Sequence, residues 1–226
     1  MLLALLRALI GATLAIAMII AAPAQAAKFY IETKLGELTA EQRAKIEKPR
    51  PVQLIFQFTT DQKANPKATK YIKEQVFKLV RESGAFSEVV ETPVEGGAML
   101  AITMDNIVQK DAAGKGFVTG LTFGLAKTVV RDGYLIVAEY NSAAGATPIR
   151  REVTHGLWLT MGTKEVPGPE LIQVKNAVIG IETIVRQGIG HAVNQLALDP
   201  AFASTAPIEP SAPAEPAAAA TAQPGA

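Results

Sequence analysis

Between residues 52 and 60, Val52, Leu54, Phe56 and Phe58 alternate with Gln53, Gln57 and Thr59, and Ile55 is the exception. Period-two alternation in β-forming residues predicts a strand with one face in the core. The step then changes to three and four. Ala68, Ile72, Val76, Leu79 and Val80 predict a helix lying on that sheet. Asn65 stands where an N-cap belongs, Pro66 suits the first turn, and Gly84 suits the C-terminal stop. Phe86 to Val90 predicts the returning strand. A strand, a helix and a strand within about 40 residues imply a right-handed crossover and a parallel pair.

Further along, Leu100, Ile102 and Met104 share one side of a strand over Ala98–Ile107. Gly133 to Asn141 carries bulk on both faces, which predicts a central strand. Ile149, Val153, Leu157 and Leu159 oppose Arg150, Glu152, Thr154 and Thr160, so Ile149–Thr160 should pair with it as a hairpin. Pro167-Gly168-Pro169 opens a last helix whose stripe is Leu171, Val174, Val178, Ile181, Val185, Ile189, Ala192 and Leu196. Gly180 and Gly188 lie near that stripe and would let the helix sit close to the sheet. Near the start, Lys28–Glu32 predicts a short edge strand, and the capping-box spacing of Thr39 and Gln42 predicts a short helix ending near Lys48. The sum is an α+β domain: a mixed sheet of about five strands with two main helices packed on one face.

The two ends read differently from the middle. Residues 1–26 have the form of a secretory signal peptide: Arg7, an apolar run from Ala8 to Ala22, Pro23, then Ala24-Gln25-Ala26. Cleavage after Ala26 is the expectation, because the run is shorter than the roughly 20 apolar residues of a spanning helix; an uncleaved anchor is the alternative. The folded domain is then residues 27–198. Residues 199–226 are mostly alanine and proline and predict a disordered tail. Truncation after Asp199 is expected to leave the melting temperature nearly unchanged. Export places the chain in the periplasm or cell envelope.

The chain has no cysteine. Disulfides, thiolate metal sites and lipid attachment to a cysteine are therefore closed. Formal charge is +1, and 0 without Arg7. Residues 28–82 nevertheless hold twelve Lys/Arg against seven Asp/Glu, with Lys63, Lys67, Lys70, Lys73, Lys78 and Arg81 crowding the first long helix. That face is either simply solvated or meets anionic lipid or polymer. It is too weak for nucleic acid, which calls for a stronger basic stripe.

Candidate chemistry is thin. His155 shares strand parity with Val153 and Leu157 and reads as a satisfied core residue. His191 has no acidic or histidine partner four residues away, and neither histidine has a metal spacing. Gly114, Gly116 and Gly120 miss the dinucleotide fingerprint by one position. No cofactor and no enzymatic activity is expected. An enzyme should instead gather His155, His191 or carboxylates in a polar pocket. A small-ligand carrier should hold an apolar cavity between helices and sheet.

The stretch from Lys110 to Arg131 is the odd one. Gly116, Gly120 and Gly124 have small-xxx-small spacing on an apolar segment with Phe117, Val118, Leu121, Phe123 and Leu125. On a helix such glycines make a flat groove for close approach. Burial inside the fold is the plain alternative. The run Phe117–Leu125 resembles one in uncharacterised bacterial envelope lipoproteins. The strand–helix–strand–strand start and long closing helix resemble periplasmic accessory modules, the curli-secretion lipoprotein and the amino-terminal domain of TolB among them. The resemblance implies a non-catalytic domain that works by contact. The expected function is an exported, non-enzymatic cell-envelope protein contacting a membrane surface or a partner through Gly116, Phe117, Gly120, Leu121, Phe123, Gly124 and Leu125. An envelope protein, a second copy or an anionic membrane surface is the expected partner. An enzyme or small-ligand carrier is the alternative.

Overall fold

The computed structural model describes residues 27–108, 128–161 and 170–204. Along the chain run β1 (Lys28–Glu32), β2 (Arg50–Thr60), β3 (Lys63–Ala64), α1 (Pro66–Glu82), β4 (Phe86–Val90), β5 (Met99–Val108), β6 (Thr128–Asn141), β7 (Ile149–Met161), β8 (Leu171–Val174), α2 (Ala177–Ala197) and α3 (Pro200–Ser204). The strands form one sheet in the order β3-β2-β5-β6-β7-β1-β8, and β4 also pairs with β2. β2 runs parallel to β4 and β5, and the other pairs are antiparallel. The fold is a mixed α+β arrangement with three helices among the described residues.

The alternation in β2 works as expected. Val52, Leu54, Phe56 and Phe58 are buried, as are Leu100, Ile102 and Met104 of β5 and Ile136 and Ala138 of β6. Val76 and Val80 of α1, and Ile184, Val185, Ile189 and Leu196 of α2, close over that face. Asn65 caps α1, its side chain accepting from the Ala68 amide at 3.1 Å. Gly84 takes φ +73° just past the helix, a value open to glycine at no steric cost. β6 is central, and the β6–β7 hairpin forms.

Four expectations are corrected. The sheet has eight strands, not about five. β1 is a full member between β7 and β8, and β3 and β8 are short strands made by their partners' register. Leu171 and Val174 belong to β8, not to the last helix. That helix starts after Asn176, whose side chain accepts from the Ile179 amide at 3.0 Å. No helix forms over residues 39–48. One bond of the box is there, Thr39 N–H to Gln42 Oε1 at 2.9 Å, but Gln42 N–H donates to the Thr39 backbone carbonyl at 3.2 Å, a turn bond. Asn194 of α2 then binds the chain in a non-helical course, accepting from Ala44 N–H at 2.7 Å and donating to Gln42 O at 3.0 Å. Finally, the fold runs past 198. Phe202 of α3 is buried, with its ring 4.8 Å from Tyr140 and 5.6 Å from Phe86.

The registers assign the strand termini to two ends. Thr60 faces Asn106, Val108 faces Asp132, Thr128 faces Met161, Lys28 faces Thr160, and Val174 faces Phe29. All these lie at one end, the Val108 end. α1 starts there, since Asn65 N–H donates to Phe58 O at 2.9 Å and Phe58 N–H to Thr69 Oγ1 at 2.9 Å. α2 starts there too, because a Cβ on Gly180 would meet Leu157, Val174 and Ile31. Arg50, Met99, Asn141, Ile149 and α3 lie at the opposite end.

Candidate functional site

Two places carry unusual chemistry. The first is a groove of about 130 Å³ between α1, α2 and the loop over 35–44, lined in part by Glu37, Arg43, Glu82, Ser83, Arg186 and Gln187. Behind it runs a chain of polar contacts into the core. His155 is 1% exposed. Its Nδ1 accepts from the Gly156 amide at 2.8 Å, which leaves Nε2–H to donate to Gln187 Oε1 at 2.9 Å. Gln187 Nε2 then donates to Glu37 Oε1 at 3.2 Å, and Arg186 Nε donates to the same oxygen at 2.9 Å. Burial raises the Glu37 carboxyl's pKa, but the hydrogen bond and charge of Arg186 outweigh it and hold it below the usual range. His155 is thus the satisfied core histidine that its strand parity implied. His191 Nε2 is buried without a hydrogen-bond partner among the described residues.

So the histidines and a carboxylate do come together, but all except His191 are committed. Glu37 is paired, both nitrogens of His155 are bonded, and Ser83 Oγ donates to Val80 O at 2.6 Å. The loop over 33–49 is fastened to α2 by these contacts and by Asn194. Arg43 adds a bond to Glu82 O at 3.4 Å. No group of three or more His, Cys, Asp or Glu able to hold a metal occurs among the described residues.

The second place is the Val108 end. Lys28, Lys63, Lys67, Lys70 and Lys175 are all exposed there, and none makes an ion pair among the described residues. Neither α1 nor α2 has an acidic residue in its first turn, so the positive helix ends reinforce the lysine field. Asp105 is buried and bound, accepting from Thr59 Oγ1 at 2.6 Å and from Gln62 N–H at 2.9 Å. It pins the β2–β3 turn, where Asp61 and Gln62 hold φ of 48° and 65°. Asp132 is half-buried, and burial raises its pKa. Exposed apolar side chains collect at the same end: Ile107, Val129, Ile172, Val178 and Ile179, with Tyr71 in the second turn of α1. The exposed large apolar residues elsewhere are Ile55, midway along β2, and Leu198 at the far end.

The expected contact residues, Gly116, Phe117, Gly120, Leu121, Phe123, Gly124 and Leu125, lie outside the described residues, as do residues 1–26, Pro167-Gly168-Pro169 and residues 205–226. Their flanks are described. Residues 109–127 join β5 to β6, the two central strands, and leave and re-enter the fold at the Val108 end. Reading the sequence missed the convergence of Lys28, Lys175, Val178 and Val129 on that end. Only strand direction and register bring them together.

No family model matches the chain, and no curated protein matches it in sequence. Among solved structures it is similar to a PelC variant from Paraburkholderia phytofirmans, described as a dodecamer. That match has a TM-score of 0.36 and 9% identity, covering 76% of this chain and 98% of that one. It is also similar to an uncharacterized protein at a TM-score of 0.31 and 10% identity, covering 69% of this chain and 94% of that one. Both likenesses are distant.

Proposed function

We propose that this is an exported, non-enzymatic cell-envelope protein that works by contact with a membrane surface or a protein partner, through the segment containing Gly116–Leu125. One observation carries the reading. The glycine-rich apolar segment springs from the two central strands, at the end where exposed lysines and apolar side chains already gather. Export with cleavage after Ala26, placing the chain in the periplasm or envelope, belongs to the same proposal. So does the resemblance to periplasmic accessory modules.

Cell fractionation with salt and detergent washes tests it, comparing the wild type with Gly120→Leu. The proposal expects envelope association that the substitution weakens, while the melting temperature holds or rises because leucine improves helix propensity by up to about 1 kcal/mol. A variant destabilised by roughly 1–3 kcal/mol with unchanged association would mean that Gly120 is a packed interior residue, and would end the proposal.

The groove supports a second reading, a small-ligand carrier or an enzyme. Its lining mixes Leu38, Leu79 and Val193 with Glu37, Arg43 and Arg186, and it reaches His155 through Gln187. A soluble protein whose melting temperature rises with a metabolite mixture, and not after Arg186→Ala, would favour that reading over the first.

A further inference from the structure

Resting on the contact reading above, we infer that the surface met by the Val108 end is an anionic lipid bilayer. Two sets of described side chains make the contact. Lys63, Lys67 and Lys70 stand on one flank, all exposed and without ion pairs among the described residues. Val178 and Ile179 stand on the other, 49% and 41% exposed. Lys28 and Lys175 lie between and beside them.

Three considerations select a bilayer over a protein. From β2 to β8 the end spans five strand spacings, about 24 Å. Its apolar side chains are separate tips across that width, on the open sheet face, the β8 edge and both helices. A planar headgroup layer accommodates separate tips, whereas a protein interface is built around one packed apolar centre. Charge is the second point. Lysine is depleted from protein interfaces, but a lysine collar around apolar tips is the composition of an interfacial membrane contact. Two of the carboxylates at this end are withdrawn: Asp105 is buried and bonded, and Asp132 is half-buried. Asp61 sits in the turn that Asp105 pins. The third is where undescribed chain departs. β5 ends and β6 begins at this end, so residues 109–127, whose sequence holds Lys110, Lys115 and Lys127 against Asp111 alone, attach there.

The test uses the full chain and two kinds of vesicle, phosphatidylcholine alone and phosphatidylcholine with phosphatidylglycerol. Co-sedimentation gives the affinity. Trp158, the single tryptophan, sits on β7 three residues from its Val108-end terminus and reports docking by its fluorescence. Binding is expected only with phosphatidylglycerol and should weaken with salt. Lys63→Gln/Lys67→Gln/Lys70→Gln should weaken it on the order of a hundredfold. Val178→Ser/Ile179→Ser should weaken it on the order of tenfold and reduce salt-resistant binding most. Both variants alter exposed positions, so an unchanged melting temperature shows that folding is intact. Equal binding to neutral vesicles, or no effect of the lysine variant, overturns the anionic-lipid inference. So does concentration-dependent self-association in place of vesicle binding. In each of those cases the contact reading survives if Gly120→Leu still releases the wild type's envelope association, and falls if the wild type fractionates as freely soluble.

Discussion

Gly188 and Gly190 sit two positions apart on α2, and their substitution by alanine should have opposite signs. In a helix interior each exchange removes the entropy penalty of glycine and adds up to about 1 kcal/mol of stability. The difference lies in what a Cβ meets. At Gly190 the nearest atom is Leu38 Cδ1 at 3.7 Å, an ordinary contact. At Gly188 it is Ile136 Cδ1 at 2.8 Å with Cγ1 at 3.2 Å. Ile136 is fully buried on β6 among other fully buried residues, so neither it nor the helix has room to retreat. Overpacking of that kind costs roughly 1–3 kcal/mol. Gly190→Ala should therefore stabilise by about 0.5–1 kcal/mol, and Gly188→Ala should destabilise by about 1 kcal/mol or more. Denaturant titration followed by Trp158 fluorescence measures both, and the thermal midpoints should separate by several degrees, at about 2–4 °C per kcal/mol. If Gly188→Ala proves as stabilising as Gly190→Ala, α2 does not ride against β6 as described.

Three further results are expected. Truncation after Ser204 should leave the melting temperature within a few degrees, whereas truncation after Asp199 removes Phe202 from the Tyr140–Phe86 ring cluster and should cost about 2–4 kcal/mol. Asp132→Asn should stabilise at neutral pH: burial raises the folded pKa of Asp132, so its favourable share of stability is present below about pH 4 and lost as pH rises through the raised value. The melting-temperature difference between variant and wild type should accordingly grow from acid to neutral pH, and a constant difference would refute the assignment. Asn194→Ala deletes both bonds to the 42–44 backbone and should cost about 1–3 kcal/mol, with faster proteolysis of the 33–49 loop than of the helices.

The longer elements were legible because one periodicity dominated each. β2, α1, β6 and the β6–β7 hairpin carry enough apolar repeats, or strong enough caps, that tertiary context only confirmed them. The misreadings have a common cause. Leu171 and Val174 are three apart, which suits a helical stripe as well as a four-residue strand, and pairing with β1 decides between them. Thr39 and Gln42 form one of the two bonds of a capping box, and Asn194, 150 positions from the Ala44 amide it accepts from, sets the course of the chain after that turn. Phe202 sits in a low-complexity neighbourhood, and nothing nearby marks it as the lid of a ring cluster. The candidate surface was half legible. Its α1 lysines stand out as a run, whereas Lys28, Val129, Ile172 and Val178 join them only through the sheet's register.

The two ends of the sheet are built for different surroundings, and that gives an orientation. The Val108 end presents lysines and loose apolar tips. The opposite end is closed by the Phe86, Tyr140 and Phe202 rings and by the ion pair between Arg151 and Asp199. Residues 205–226 leave from that closed end. β2 with its eleven residues sets the separation at about 35 Å. A protein docked by its lysine end therefore holds Phe202 and the attachment point of residues 205–226 on the far side, more than three Debye lengths of about 10 Å from the charged surface. Proteolysis on phosphatidylglycerol vesicles reads this directly. Trypsin should cut at Lys67 and Lys70 more slowly than in free protein, while elastase should cut in the Ala217–Ala220 run equally fast in both. Mass spectrometry assigns the fragments. Protection of the Ala217–Ala220 run with continued cleavage at Lys67 would reverse the orientation, and with it the assignment of the lysine end to the membrane.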